Sequence, residues 1–193
     1  MWVEASHPKL EVSASPGEVT KEPDLRPRVL GYSVMHTGTS FLTHLVAAAG
    51  FKVHHNHAFG DADPTHYGHG ANSIFLKERS HLPMVIPVRH PYDVVETWWQ
   101  RNLDLERLPL CYRELFAKQG QLNHLEFFVS ARTQGERLHQ MQQLSDHLGL
   151  PEVPGYWLEV ALTWNKVANQ KHDKPPYSGD KSFVDFAVAH YEL

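Results

Sequence analysis

The chain is poor in cysteine, in long apolar runs and in excess charge, and each shortage excludes something. A single cysteine, Cys111, in 193 residues leaves no disulfide framework and no cysteine-based zinc module, and it fits a reducing compartment. The longest apolar stretch, Phe41 to Phe51, is broken by Thr43 and His44 and falls well short of the roughly 20 residues that a bilayer-spanning helix needs. The first residues lack the basic-then-apolar pattern of a secretory leader, so a cytoplasmic location is expected. A basic excess is missing too: 18 Lys and Arg stand against 22 Asp and Glu, a formal net charge of −4 with histidine neutral, which argues against a nucleic-acid partner. What the chain does have is 41% hydrophobic residues, enough for a real core, and fifteen histidines, several times ordinary usage.

The length suits one domain. Residues 1–27, with Pro8, Pro16, Pro23 and Pro27 and no sustained period, read as a polar N-terminal arm, and 28–193 as a single domain. Arg28 to Val34 is a short apolar run without alternation, the pattern of a buried parallel strand. A turn, MHTGT, follows, and then Ser40 to Ala49 reads as a helix stopped by Gly50. Phe51 to His55 reads as a second strand, and Asn56 to Gly70 as a loop. Met84 to Arg89 is the next buried strand, which Pro87 demotes somewhat. Pro91 opens a helix whose apolar face is Val94, Val95, Trp98 and Trp99. Leu110 to Ala117 and Gly135 to Leu148 read as helices, and Leu125 to Ser130 as a strand. A polar loop, Lys171 to Lys181, precedes a final short helix. Strands alternating with helices predict an α/β domain: three layers, with a mainly parallel central sheet between helices.

Two segments carry chemistry. Met35-His36-Thr37-Gly38-Thr39-Ser40 lies where a parallel strand runs into a helix, and ligands in such sheets sit beyond the carboxyl ends of the strands. A helix N-terminus offers unpaired N–H groups and a positive dipole end to an anion. Gly38 permits close backbone approach, and Thr39 and Ser40 add hydroxyls. The lysine of a nucleoside-triphosphate loop is absent, its place being held by Thr39. In the second segment, VIPVRHPYDVVETWWQR, an apolar strand ends at Arg89 and a helix follows, with Thr97 eight residues after the arginine. Arginine suits a phosphate because its rigid fork binds bidentately and its charge is insensitive to pH. Asp93 and Thr97 share a helix face.

Together these segments resemble the sulfotransferases. MHTGTSFL is similar to that family's 5′-phosphosulfate loop, with Gly38, Thr39 and Leu42 matching, Thr37, Ser40 and Phe41 conservative, and His36 standing where lysine is usual. The Arg89 segment resembles the 3′-phosphate motif, with Thr97 at its serine position. A weaker likeness, Lys174-Pro-Pro-Tyr-Ser-Gly179-Asp180, parallels a basic loop that closes over the donor, and Asp146 to Pro151 resembles a helix ending found late in the family. The resemblance implies a P-loop-like fold and 3′-phosphoadenylyl sulfate as donor. It also implies adenosine 3′,5′-bisphosphate as product, a small-molecule or glycan acceptor and no required metal. It places His36, Thr37, Gly38, Thr39, Ser40, Arg89, Thr97 and Lys174 around the donor, with His36 at the leaving phosphate oxygen.

An acceptor must lose a proton, and His55 and His57, near the end of the second strand, are the candidate bases. His54, of opposite parity to His55, faces away. Protonation of the site histidines is expected to strengthen donor binding as the pH falls. Trp98, Trp99, Tyr156 and Trp157 could line an acceptor pocket or fill the core. Competing readings are a nucleotide-binding P-loop protein or kinase with a degenerate loop, and a non-catalytic module on the same fold. His54, His55, His57, His66 and His69 beside Asp61 and Asp63 raise a metal site, although their spacing matches no metal motif. Serine-hydrolase chemistry lacks the second glycine after Gly31-Tyr32-Ser33. Oligomeric state is not legible.

Overall fold

A computed structural model describes residues 25–58, 78–120, 123–129, 131, 133–163 and 174–193. The N-terminal arm lies outside them except for its last three residues, as do His66, His69, Asp61 and Asp63. The described strands are β1 (Arg28–Val34), β2 (Lys52–Ala58), β3 (Met84–Val88) and β4 (His124–Phe128). The described helices are α1 (Thr39–Ala48), α2 (Pro91–Gln100), α3 (Leu108–Gln119), α4 (Gln134–His147), α5 (Gly155–Thr163) and α6 (Asp185–His190). Among the described residues no helix is long and apolar enough to cross a membrane.

The strands form one sheet in the order β2-β1-β3-β4, and every pair is parallel. The chain passes from β1 outward to β2, then returns across β1 to add β3 on its other side. The carboxyl ends of β1 and β3 therefore flank a switch point, where crossover helices leave towards opposite faces of the sheet, the position at which such sheets generally bind ligands. Alternation along β1 divides the core. Leu30, Tyr32 and Val34 pack with Val94, Val95, Trp98, Tyr112, Leu115 and Ala187, the side of α2, α3 and α6. Val29 packs with Leu42, Leu45, Val46, Met141, Leu144 and Trp157, the side of α1, α4 and α5.

β2 and α5 correct the sequence reading, and the place of Pro87 has a physical reason. β2 runs on to Ala58, so His57 is a strand residue rather than part of a loop. Pro87 sits in an interior, buried strand, as read for this segment. Met84 N bonds Asn123 O, and Val88 O accepts from Val129, so the even positions of β3 face β4 and Pro87 faces β1. The β1–β3 register ends at Gly31 and Val85, so the missing N–H of Pro87 falls beyond the ladder. Helix α5, unread in the sequence, follows Pro154, whose carbonyl accepts from the Trp157 and Leu158 amides. Trp157 is fully buried there, its indole donating to Leu45 O at 2.8 Å. It belongs to the core, as does Trp98, which is 5% exposed.

Candidate functional site

The connection leaving β1 turns sharply. His36 takes φ 69° and Gly38 φ 106°, two left-handed residues in three, which costs backbone energy at the histidine in particular. Gly38 is required twice over, because a Cβ there would lie 2.8 Å from Val129 Cγ1 besides meeting the positive φ. Thr37 is buried and donates its hydroxyl to Val34 O at 2.8 Å, so its side chain tightens the turn from inside. No side chain caps α1, and its first turn holds no acidic residue. The positive end of this helix thus receives no countercharge from its own sequence.

The connection leaving β3 carries the second half of the site. Arg89 Nη1 donates to Thr97 Oγ1 at 2.9 Å, and Thr97 Oγ1 donates in turn to Asp93 O at 2.9 Å. The Asp93 carboxylate stands 4.0 Å from Arg89 Nε. The immediate partner of Thr97 is therefore the guanidinium, which it orients. The two connections are tied directly, since the Trp98 indole donates to Met35 O at 3.0 Å. This bond fixes α2 against the residue that precedes His36.

His36 is held down to about 4, first by partial burial, then by Arg101, by electrostatic coupling to His57 and by Arg89. Arg89 and His57 thus lie within electrostatic reach of His36, as does Arg101, which no motif announced. Arg101 lies one turn beyond Trp98 on the same face of α2, and that relation was its only trace in the sequence. His55 is pushed down to about 3 by burial and by His57. Burial also lowers His57, against an opposing bond with the Ser33 backbone. These imidazoles are neutral at pH 7 in the free protein, which corrects the expectation that they begin to charge just below neutrality. The fixed positive charge comes from the arginines.

His55 and His57 share one sheet face, opposite Gly31 and Ser33 in register, and their rings meet edge to face at 4.4 Å. His54 falls on the other face, lowered by burial and then by Arg79, Arg28 and Lys52. Lys174 is not brought to the loop. Its ammonium donates to Trp99 O at 3.1 Å and to Asn102 Oδ1, and it lies 4.5 Å from the centre of the Trp99 ring. It closes the carboxyl end of α2, where Trp99 donates to Pro175 O and Tyr177 N donates to Glu96. Among the described residues no group of three or more His, Cys, Asp or Glu is placed to hold a metal ion. No family model, no curated protein and no solved structure matches the chain.

Proposed function

We propose that this chain is a sulfotransferase of P-loop-like fold that takes a sulfuryl group from 3′-phosphoadenylyl sulfate and passes it to a hydroxyl or amine. The observation that carries the reading is the meeting of two strand ends at the sheet's switch point. One is an uncapped helix start behind a left-handed glycine, and the other is an arginine oriented by a threonine eight residues on. Two anionic groups of one ligand fit that pair, because each end offers separate donors. The absence of a lysine at Thr39 weighs against a nucleoside triphosphate, whose β- and γ-phosphates need that charge.

In this reading the loop amides and the hydroxyls of Thr39 and Ser40 hold the 5′-phosphosulfate, and Arg89 with Thr97 holds the 3′-phosphate. The acceptor oxygen attacks sulfur in line and loses its proton to a neutral imidazole. His57, within electrostatic reach of His36, is the candidate base. The bond from sulfur to the bridging oxygen breaks, and adenosine 3′,5′-bisphosphate departs with the negative charge. His36 donates one hydrogen bond to that oxygen, and Arg101 and Arg89 add charge stabilisation. A bound polyanion offsets the arginines and raises the pKa of His36 again, so the donor itself improves the imidazole as a proton carrier.

Isothermal calorimetry compares adenosine 3′,5′-bisphosphate with ATP. The expected result is bisphosphate binding that Arg89→Ala weakens by about 30- to 100-fold, the loss of a charge-assisted bidentate contact. Binding of ATP without the bisphosphate, or an unchanged affinity in Arg89→Ala, overturns the reading. Bisphosphate binding without sulfuryl transfer to any acceptor favours a binding module.

A further inference from the structure

Beneath the loop lies a chain of polar groups that anion binding by backbone amides does not require. Ser33 is fully buried on β1, and its Oγ stands 2.9 Å from Thr39 Oγ1 and 3.3 Å from His55 Nε2. His55 covers Gly31, where a Cβ would lie 2.8 Å from its Cδ2. That imidazole lines a small void under α1 together with Gly31, Thr39 and Leu42. It is therefore tucked between sheet and helix, with one ring nitrogen committed to a serine. This is a poor position for taking a proton from an acceptor and a good one for setting the direction of hydrogen bonds.

The direction matters. Ser33 has one proton to give, and a buried hydroxyl that gives none loses a hydrogen bond outright. A neutral imidazole carries its N–H on one nitrogen only. With the proton on Nε2, His55 donates to Ser33, Ser33 donates to Thr39, and the Thr39 O–H is released to donate into the loop. With the proton on Nδ1, Ser33 donates to Nε2 and Thr39 donates to Ser33, which leaves only oxygen lone pairs facing the loop. An oxyanion there is attracted by the first arrangement and repelled by the second.

We propose that His55, Ser33 and Thr39 form a positioning relay in which the buried imidazole, by carrying its proton on Nε2, turns the Thr39 hydroxyl into a donor for an oxyanion, sulfate or phosphate, bound at the start of α1. The proposal rests on the reading that this loop binds an anion, and it does not depend on sulfuryl transfer. It makes His55 a positioning residue and leaves proton acceptance to His57.

The test uses the full chain labelled with nitrogen-15 at histidine and titrated with inorganic sulfate at pH 7. The expected signature is a His55 imidazole with Nε2 protonated in the sulfate complex, its two ring shifts moving on titration. Ser33→Ala, a small buried change, is expected to keep the circular dichroism spectrum, weaken sulfate about 5- to 20-fold and abolish the His55 response. Thr39→Val is expected to lose as much, Thr39→Ser to retain binding, and the Ser33→Ala/Thr39→Val pair to lose no more than either alone. His55→Gln, which keeps an N–H donor facing Ser33, should stay within about 3-fold of the parent. The relay is overturned if sulfate binds with Nε2 unprotonated, if Ser33→Ala binds like the parent, or if the parent binds no sulfate. A sulfate complex with the expected His55 signature, but no tighter binding of adenosine 3′,5′-bisphosphate, sustains the relay and overturns the sulfotransferase reading instead.

Discussion

Helices α1 and α4 both begin shortly after a parallel strand ends, at the same edge of one sheet, and they begin in opposite ways. At α4, Thr133 accepts from the Glu136 amide at 3.1 Å while the Glu136 carboxylate accepts from the Thr133 amide at 3.0 Å, a complete capping box. The sequence supplies the anion itself. At α1 the cap is Gly38, with no side-chain bond and no acid in the first turn, and Thr39 turns down to Ser33. A helix start that satisfies itself has nothing to offer a ligand. One that leaves its positive end unanswered, two strands away in the same sheet, is the feature on which the proposed anion site rests.

The sharpest break in this contrast comes from Gly38→Ala. The φ of 106° and the 2.8 Å approach to Val129 make a stability loss of about 2–3 kcal/mol the expected outcome in urea titration. Bisphosphate affinity should fall at least about 10-fold with it. Adding Val129→Ala relieves the crowding but not the dihedral, so it should recover part of the stability only.

Next in size is the response to acid, because neutral histidines lie beside α1. His55, at about 3, and His36, at about 4, lie below the value of about 6.5 that each takes in the unfolded chain. Between pH 6.5 and roughly 4 the unfolded state binds more protons, so stability falls as the pH falls. Discounted for partial exposure, the loss is on the order of 2 kcal/mol by pH 4. His55→Gln should flatten part of that slope in denaturant titrations run from pH 7 to pH 4. A slope unchanged by the substitution would detach His55 from the effect.

The same contrast explains what could be read without coordinates. β1 was legible as Arg28–Val34 because a strand buried on both faces is a mostly apolar run without alternation. The helix stop at Gly50 was legible because a left-handed position demands glycine, and its φ is positive. The loop and Arg89 with Thr97 were legible because each is local in sequence. β2 resisted beyond His55 because KVHHNHA puts histidines on both faces, hiding the period of two. Ser33 and Arg101 were hidden for another reason. Ser33 meets His55 only through strand register, and Arg101 comes within electrostatic reach of His36 only through the docking of α2 on Met35; neither relation has a fixed spacing along the chain.

On the α4 side the effects are smaller and should leave the ligand untouched. Thr133→Ala removes the side-chain half of the capping box and is expected to cost about 1 kcal/mol, with bisphosphate affinity unchanged by calorimetry.

The least of the effects is the most discriminating, because one substitution changes sign between the two helices. Gly135, in the first turn of α4, has open space where a Cβ would go and no positive φ. Alanine there loses less backbone entropy on folding than glycine and fits the helix without strain. Gly135→Ala should therefore raise stability by about 0.5 kcal/mol, where Gly38→Ala lowers it several-fold more. Both are read by midpoint shifts in urea at constant slope. If both glycines respond alike, the left-handed turn at Gly38 is not a built feature, and the argument for an anion at α1 loses its structural footing.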